Sequence, residues 1–307
     1  MPHSPDLILH HYASSPFSEK IRLVLGRKKL AWKSVIVPNI LPKPDVVALT
    51  GGYRRTPFLQ IGADIYCDTA MICDVLEQLQ PIPSLYPQAT QALARIVAQW
   101  ADSSLFWAAV TYNRGASAEL PAAVFADRRA MGFDVEWVRP ADASAAYKSY
   151  LERLSGMLTL QPCLLGAEPC IADFSAYHAL WLAHGREPTS VPLPCHSPAL
   201  ARWMQHMQSI GHGSHTPMSA AQAIAIAATS APAVSGQNRL PVASWQDEHG
   251  ITQGSRVTVA AESFGREPTE GELIAATPSY YSLRRIDDRA GTVHVHFPRT
   301  GYVLKST

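Results

Sequence analysis

Ser15-Pro16-Phe17-Ser18, running into Glu19-Lys20-Ile21-Arg22, is the segment whose residue types and spacing bear most directly on chemistry. It follows a short apolar run, Leu7-Ile8-Leu9, and opens an amphipathic stretch carrying Ile21, Leu23, Val24 and Leu25. That is the pattern of a strand, a tight turn and a helix. A dithiol redox site at such a turn needs Cys-x-x-Cys; both positions are serine here, so disulfide exchange has no sulfur to use. A serine hydroxyl at a helix N-terminus can instead donate a hydrogen bond to an anion, with free backbone N–H groups and the positive end of the helix dipole adding to the attraction. If that anion is a thiolate, it must arrive on a ligand. The same serine is also a good N-cap, and Ser14 and Tyr12 compete with Ser15 for the role.

Three further clusters have a chemical reading beside a plain one. Asp68-Thr69-Ala70-Met71 opens an apolar-periodic segment over 68–79, as a helix cap or as an anion and amine site facing a cleft. Thr56-Pro57 follows Gly51-Gly52-Tyr53-Arg54-Arg55 and begins a strand, where a proline is ordinarily a trans residue on an edge. His294 and His296 alternate on a strand-like run, so both rings share a face. With no third ligand apparent they read as solvent-facing rather than as a metal pair, and Gly211-His212-Gly213-Ser214-His215 reads as flexible.

Elements must position these residues. Strands are expected over 7–10, 32–37, 57–61 and 64–67, with helices over 15–29 and 68–79 and a helical turn near 45–49: a βαβ unit followed by ββα. The proline-rich stretch 81–87 cannot continue a helix. Residues 90–228 then read as almost wholly helical, over 90–112, 143–160, 172–184, 197–209 and an alanine-rich stretch after Pro217. Beyond a small polar linker at 230–237, β-rich runs at 256–260, 271–276, 280–286 and 292–297 alternate with Gly and Asp turns.

This order and these motifs resemble the cytosolic glutathione transferase superfamily over roughly residues 5–228. The resemblance implies an α/β thioredoxin-like, glutathione-binding domain over 1–80 and an all-α domain over 88–229, followed by a small all-β, barrel-like domain over 238–307. It implies that Ser15 holds the glutathione thiolate, with Ser18-Glu19-Lys20-Ile21-Arg22 as the family's tail to that serine. A free thiol has a pKa of about 8.5, and lowering it by about two units takes roughly 2.7 kcal/mol of preference for the thiolate. The likeness further implies a cis peptide at Thr56-Pro57, exposing Thr56 to the cysteinyl backbone, and Asp68 and Thr69 on the γ-glutamyl end. Phe17 and Arg55 join the glutathione site, Arg55 toward the glycyl end. Tyr12, Phe106, Trp107 and Tyr112 are the second-substrate candidates, and Cys170 with Asp173 stands where the family has a buried capping box.

The activity so implied is attack of an enzyme-bound glutathione thiolate on a small electrophilic or unsaturated molecule, as conjugation, dehalogenation or isomerisation, with glutathione as co-substrate and no metal. A non-catalytic binding or scaffold protein on the same fold is the alternative, and an enzyme taking another thiol or a carboxylated ligand is a third. A homodimer is implied. The net charge of +1, with 47% hydrophobic and 17% charged residues and mean hydropathy −0.03, favours neither nucleic acid nor a membrane surface. No signal peptide or spanning stretch is expected. Five cysteines without metal-type spacing fit a reduced, cytoplasmic chain.

Overall fold

Ser15 caps the first helix as its residue type favours, its side chain accepting from Ser18 N, and Pro16 occupies the first helical position, where a missing N–H costs nothing. That helix, α1 (Pro16–Arg27), connects β1 (Ile8–His11) to the parallel β2 (Trp32–Ile36). Then come α2 (Pro44–Thr50), the antiparallel pair β3 (Phe58–Ile61) and β4 (Asp64–Cys67), and α3 (Thr69–Leu79). The computed structural model describes residues 6–116, 121–132, 139–185, 192–194, 196–233, 240, 244–246 and 248–307. Cys195 and the second half of the 230–237 linker lie outside them.

The helical layer comprises α4 (Gln91–Trp100), α5 (Phe106–Ala116), α6 (Ala122–Ala130), α7 (Pro140–Met157), α8 (Ile171–His184) and α9 (Pro198–Ser209), with a π-helical turn at Ala101–Leu105 joining α4 to α5. The most buried of these is α8, packed on α1, α4 and α5. Its start is locked by Asp173, which accepts from Cys170 N (3.0 Å), Leu164 N (2.8 Å) and Trp203 Nε1 (2.9 Å). Asp173 is thus a framework residue, as expected. A short β5 (His215–Pro217) and α10 (Ala220–Thr229) follow, and α10 packs against α2, β2 and the later strand β9 rather than within the helical layer. Among the described residues no helix is long and apolar enough to cross a membrane.

The strand-rich tail is present as β6 (Arg256–Ala261), β7 (Thr269–Ala276), β8 (Tyr280–Asp287), β9 (Gly291–Pro298) and β10 (Tyr302–Ser306). It takes the form of an open antiparallel run joined to the first sheet by parallel pairing of β9 with β4, giving one ten-stranded sheet in the order β10-β6-β7-β8-β9-β4-β3-β1-β2-β5. One apolar cluster crosses the seam: Val46, Leu49, Tyr53, Phe58 and Ile65 pack with Val257, Leu283, Val295 and Phe297.

Two readings of the histidines are corrected here. His296 is buried: its Nε2 lies 2.9 Å from Asp64 Oδ1, its Nδ1 2.7 Å from Ser282 Oγ, and its ring stacks on Tyr66. His294 pairs with Asp64 in the ladder and is largely covered, with 17% of its side chain exposed. The pairing of β9 with β4 turns what reads as a solvent face toward the protein. The 212–215 segment is likewise held, His215 stacking on Trp32 (4.6 Å between ring centroids) as β5 adds to β2.

Candidate active site

At the end of β1 the chain turns through Tyr12 to Ser15 before entering α1. Ser15 Oγ accepts from Ser18 N (3.1 Å) and donates to the Thr56 carbonyl over a long 3.4 Å contact. The Thr56–Pro57 peptide is cis. Ser15 is 3% exposed, whereas Ala13 is exposed and Ser14, Thr56 and Phe17 are half-buried.

Asp68 sits at the mouth of α3 with φ +78°, a backbone region costly for any residue with a Cβ. Strain of that kind persists where a particular side-chain direction is needed. Its Oδ1 caps α3 by accepting from Ala70 N (2.9 Å), and its Oδ2 accepts from Tyr302 Oη (3.0 Å). Thr69 behind it is buried, its Oγ1 accepting from Lys20 Nζ (3.2 Å). Lys20 also donates to Asp102 Oδ2 (2.6 Å), and Asp102 Oδ1 lies 2.8 Å from His178 Nε2. Burial opposes both charges. The mutual pairing outweighs it, pushing the Lys20 amine up and holding the Asp102 carboxyl at about 2, while burial pushes His178 down. The tail of basic residues after Ser15 therefore reaches inward: Lys20 locks α3 and the π-helical turn to α1, and Arg22 pairs with Glu19 (2.6 Å).

Arg55 joins these groups to the C-terminal strands. It donates from Nε to the Phe264 carbonyl (2.6 Å) and from Nη2 to Ser263 Oγ (3.1 Å), with Nη1 3.8 Å from Asp68 Oδ2. Ser15, Thr56, Arg55 and Asp68 thus follow one another through contacts or the chain along a single edge of the first domain. Across from them, Phe17 packs on Phe106 (4.7 Å) and His178 (4.5 Å), and Trp107 lies edge-on to Phe106 (5.1 Å) and Phe264 (5.6 Å). Tyr12 accepts from Arg128 Nη2 (3.1 Å), and burial pushes its phenol up. Tyr112 instead has ring contacts with Tyr147 and His184 inside the helical layer, and no described contact brings it to the turn.

Sequence reading missed four residues of this region. Asp102 is four after Ala98 and three before Leu105, both buried, so helical spacing alone could have shown a carboxylate on an inward face. Lys43, between two prolines, comes to lie 5.9 Å from the Tyr12 ring centroid, with burial pushing its amine down to about 8. Phe264 and Tyr302 arrive from the tail, and no local signal marks them. A recess of about 460 Å³ between Leu41–Ala48 and Arg289 has Lys43 in its lining and none of the residues expected from the sequence. Among the described residues no group of three or more His, Cys, Asp and Glu side chains could hold a metal ion.

The sequence profile of the glutathione S-transferase N-terminal domain matches residues 9–84, which contain the turn, the cis-proline and Asp68. Pyrimidodiazepine synthase of Drosophila melanogaster is 27% identical over 95 residues, 29% of this chain; the chain spans 39% of that protein's length. A glutathione S-transferase from Methylobacillus flagellatus, solved with glutathione bound, matches 67% of this chain and 99% of its own at 18% identity and a TM-score of 0.51, a likeness of fold alone. A GST-like protein from Pseudomonas syringae, solved as a crystal structure, is 41% identical, with 99% of this chain and 100% of that chain covered at a TM-score of 0.82. That likeness runs from the first strand through the C-terminal strands. On an alignment of that extent and identity, the chain belongs to the cytosolic glutathione S-transferase superfamily.

Proposed function

We propose that the protein binds glutathione along the Ser15–Thr56–Asp68 edge and activates its thiol for attack on a small electrophile. The observation that carries this reading is the meeting of three groups suited to one tripeptide. These are a helix-capping hydroxyl at Ser15, the exposed-side backbone of Thr56 before a cis-proline, and a carboxylate with strained backbone at Asp68. The γ-glutamyl amine goes to Asp68, and its carboxylate to the first amides of α3 beside Thr69. The cysteinyl backbone pairs with Thr56, and the sulfur faces Ser15. Lys43 supplies positive charge for the glycyl carboxylate. Arg55, 3.8 Å from Asp68, stands instead at the γ-glutamyl end. Tyr12, Phe17, Phe106 and Trp107 supply an apolar surface for the electrophile. On binding, the glutathione thiol releases its proton to solvent and the Ser15 hydroxyl turns from the long Thr56 contact to the sulfur. The thiolate then forms a bond to an electrophilic carbon as that carbon's leaving group departs with the bond electrons, or as an activated double bond takes them up. A homodimer is carried over from the family.

A second reading has its own observation. Ser15 is nearly covered and already bonded on both sides, and Asp68 is already bonded to Tyr302, as in a protein that keeps the fold as a binding surface without the chemistry. Calorimetry with glutathione, followed by ultraviolet titration of the bound thiol, separates the two. Binding with a thiol pKa well below that of free glutathione supports the enzyme. Binding with an unshifted thiol supports the scaffold, and a folded protein that binds no glutathione defeats the proposal.

A further inference from the structure

The C-terminal strands come to the same edge. Tyr302, the first residue of β10, donates a hydrogen bond from its hydroxyl to Asp68 Oδ2 (3.0 Å), and its oxygen lies 3.4 Å from the Tyr53 hydroxyl. Its ring lies 5.7 Å from the Arg55 guanidinium, and Arg55 in turn holds the Phe264 carbonyl. Phe264 packs edge-on to Trp107. The loop carrying Phe264 is fixed at both ends: Glu262 N donates to the Gly301 carbonyl (3.0 Å) before it, and after it Gly265 N donates to the Met131 carbonyl (2.8 Å), Glu267 pairs with Arg54, and Thr269 Oγ1 donates to the Thr50 carbonyl (3.0 Å).

An added wall at a cleft either blocks it or finishes it, and the state of Asp68 separates the two. A carboxylate offers about four lone-pair positions. Two are used here, by Ala70 N and Tyr302, and 24% of the side chain stays exposed. An ammonium group can still reach it. What the Tyr302 bond removes is the freedom of the carboxylate to rotate, and a group held before the ligand arrives loses less entropy on binding. Tyr302 itself is held by pairing of β10 with β6, Tyr302 opposite Ala261, so the restraint comes from the sheet and not from a loose loop.

Building on the glutathione reading, we propose that the C-terminal strands complete the active-site cleft. Tyr302 acts as a positioning residue that holds Asp68 for the γ-glutamyl amine, and Phe264 forms the wall facing the group attached to sulfur. The tail is then a working part of the site, and the ligand class it selects is a γ-glutamyl thiol or thioether bearing an apolar S-substituent.

The test is a set of calorimetric titrations of full-length protein with glutathione, with glutathione lacking the γ-glutamyl α-amine, and with S-hexylglutathione. Tyr302→Phe keeps the ring and is expected to bind glutathione about tenfold more weakly, about 1.4 kcal/mol, while binding the deaminated ligand within about twofold of wild type. Phe264→Ala is expected to weaken S-hexylglutathione about fivefold more than it weakens glutathione, and equal effects on the two ligands would overturn its role as the wall. Equal losses for both tripeptides in Tyr302→Phe, no loss, or tighter binding would overturn the positioning role, tighter binding marking the tail as a competitor for the cleft. Wild-type protein that binds no glutathione removes the underlying reading, an outcome separate from the variant results.

Discussion

A single hydroxyl bears most of the proposed chemistry. A hydrogen bond to a charged group contributes about 1.5–3 kcal/mol, and one pKa unit corresponds to about 1.4 kcal/mol. Ser15→Ala should therefore raise the thiol pKa of bound glutathione by about one to two units and leave its affinity at low pH unchanged. An unaltered titration would remove Ser15 and turn attention to Tyr12. Asp68 has two duties that one substitution separates. Asn keeps a cap acceptor for Ala70 N and tolerates the positive φ, but carries no charge. Asp68→Asn should leave the thermal midpoint nearly unchanged and weaken glutathione binding about tenfold; a protein that loses stability without losing affinity would make Asp68 a cap only. Ser15 and Asp68 were legible because caps and anion sites use the same few residue types at helix starts. Tyr302 was not, because nothing within its own strand distinguishes it from a core tyrosine.

Helices and strands set the burial on which these charges depend. The π-helical turn at Ala101–Leu105 brings Asp102 onto Lys20, which is 1% exposed and would otherwise be a buried uncompensated cation. In β1 the alternation of faces buries two histidines. Burial holds His10 at about 4 even with a hydrogen bond to Gln60, and burial with the Arg22 charge holds His11 at about 3. Unfolded histidines titrate near 6.5, so between that pH and about 4 the unfolded chain carries protons that the folded chain does not. This contribution to stability is complete above pH 6.5 and fades as the pH falls. For His10 the drop from 6.5 to about 4 corresponds to about 3 kcal/mol at its full extent. Urea midpoints should fall clearly from pH 7.5 to pH 5, and coincident midpoints would show that β1 opens to admit the protons. The apolar spacing made β1 and α1 visible in the sequence. It could not show that both histidine rings, on successive and therefore opposite faces, would be covered, since that depends on which layers pack above and below.

For the whole molecule, the decisive contact is between β4 and β9, 230 residues apart at Asp64 and His294. An edge strand left open is a template for pairing with other chains, and β9 closes this one. Asp64 makes the closure specific, accepting from Ala233 N (2.8 Å) and pairing with His296, while the shared apolar cluster supplies the driving force. Deleting residues 234–307 should therefore give a product that aggregates or self-associates on size exclusion, with Phe58, Ile65 and Tyr53 uncovered. A monodisperse product with the full-length thermal midpoint would show that the tail only leans on the rest.

Local information decided a great deal. The Pro and Gly punctuation, the caps at Ser15 and Asp68, and the change from period 3.6 to period 2 are set by steric and hydrogen-bonding preferences of neighbouring residues. They located the βαβ and ββα units, the helical layer and the strand-rich tail. The short α6, β5 and β10 passed unseen because each is held by partners distant in sequence. Only the tertiary structure decided that the tail joins the first sheet, that His296 is enclosed, and that Tyr302 and Phe264 stand beside Asp68 and Trp107. Pairing between remote strands depends on an edge and an apolar face that exist only once the first sheet has formed, and no window of residues contains both partners.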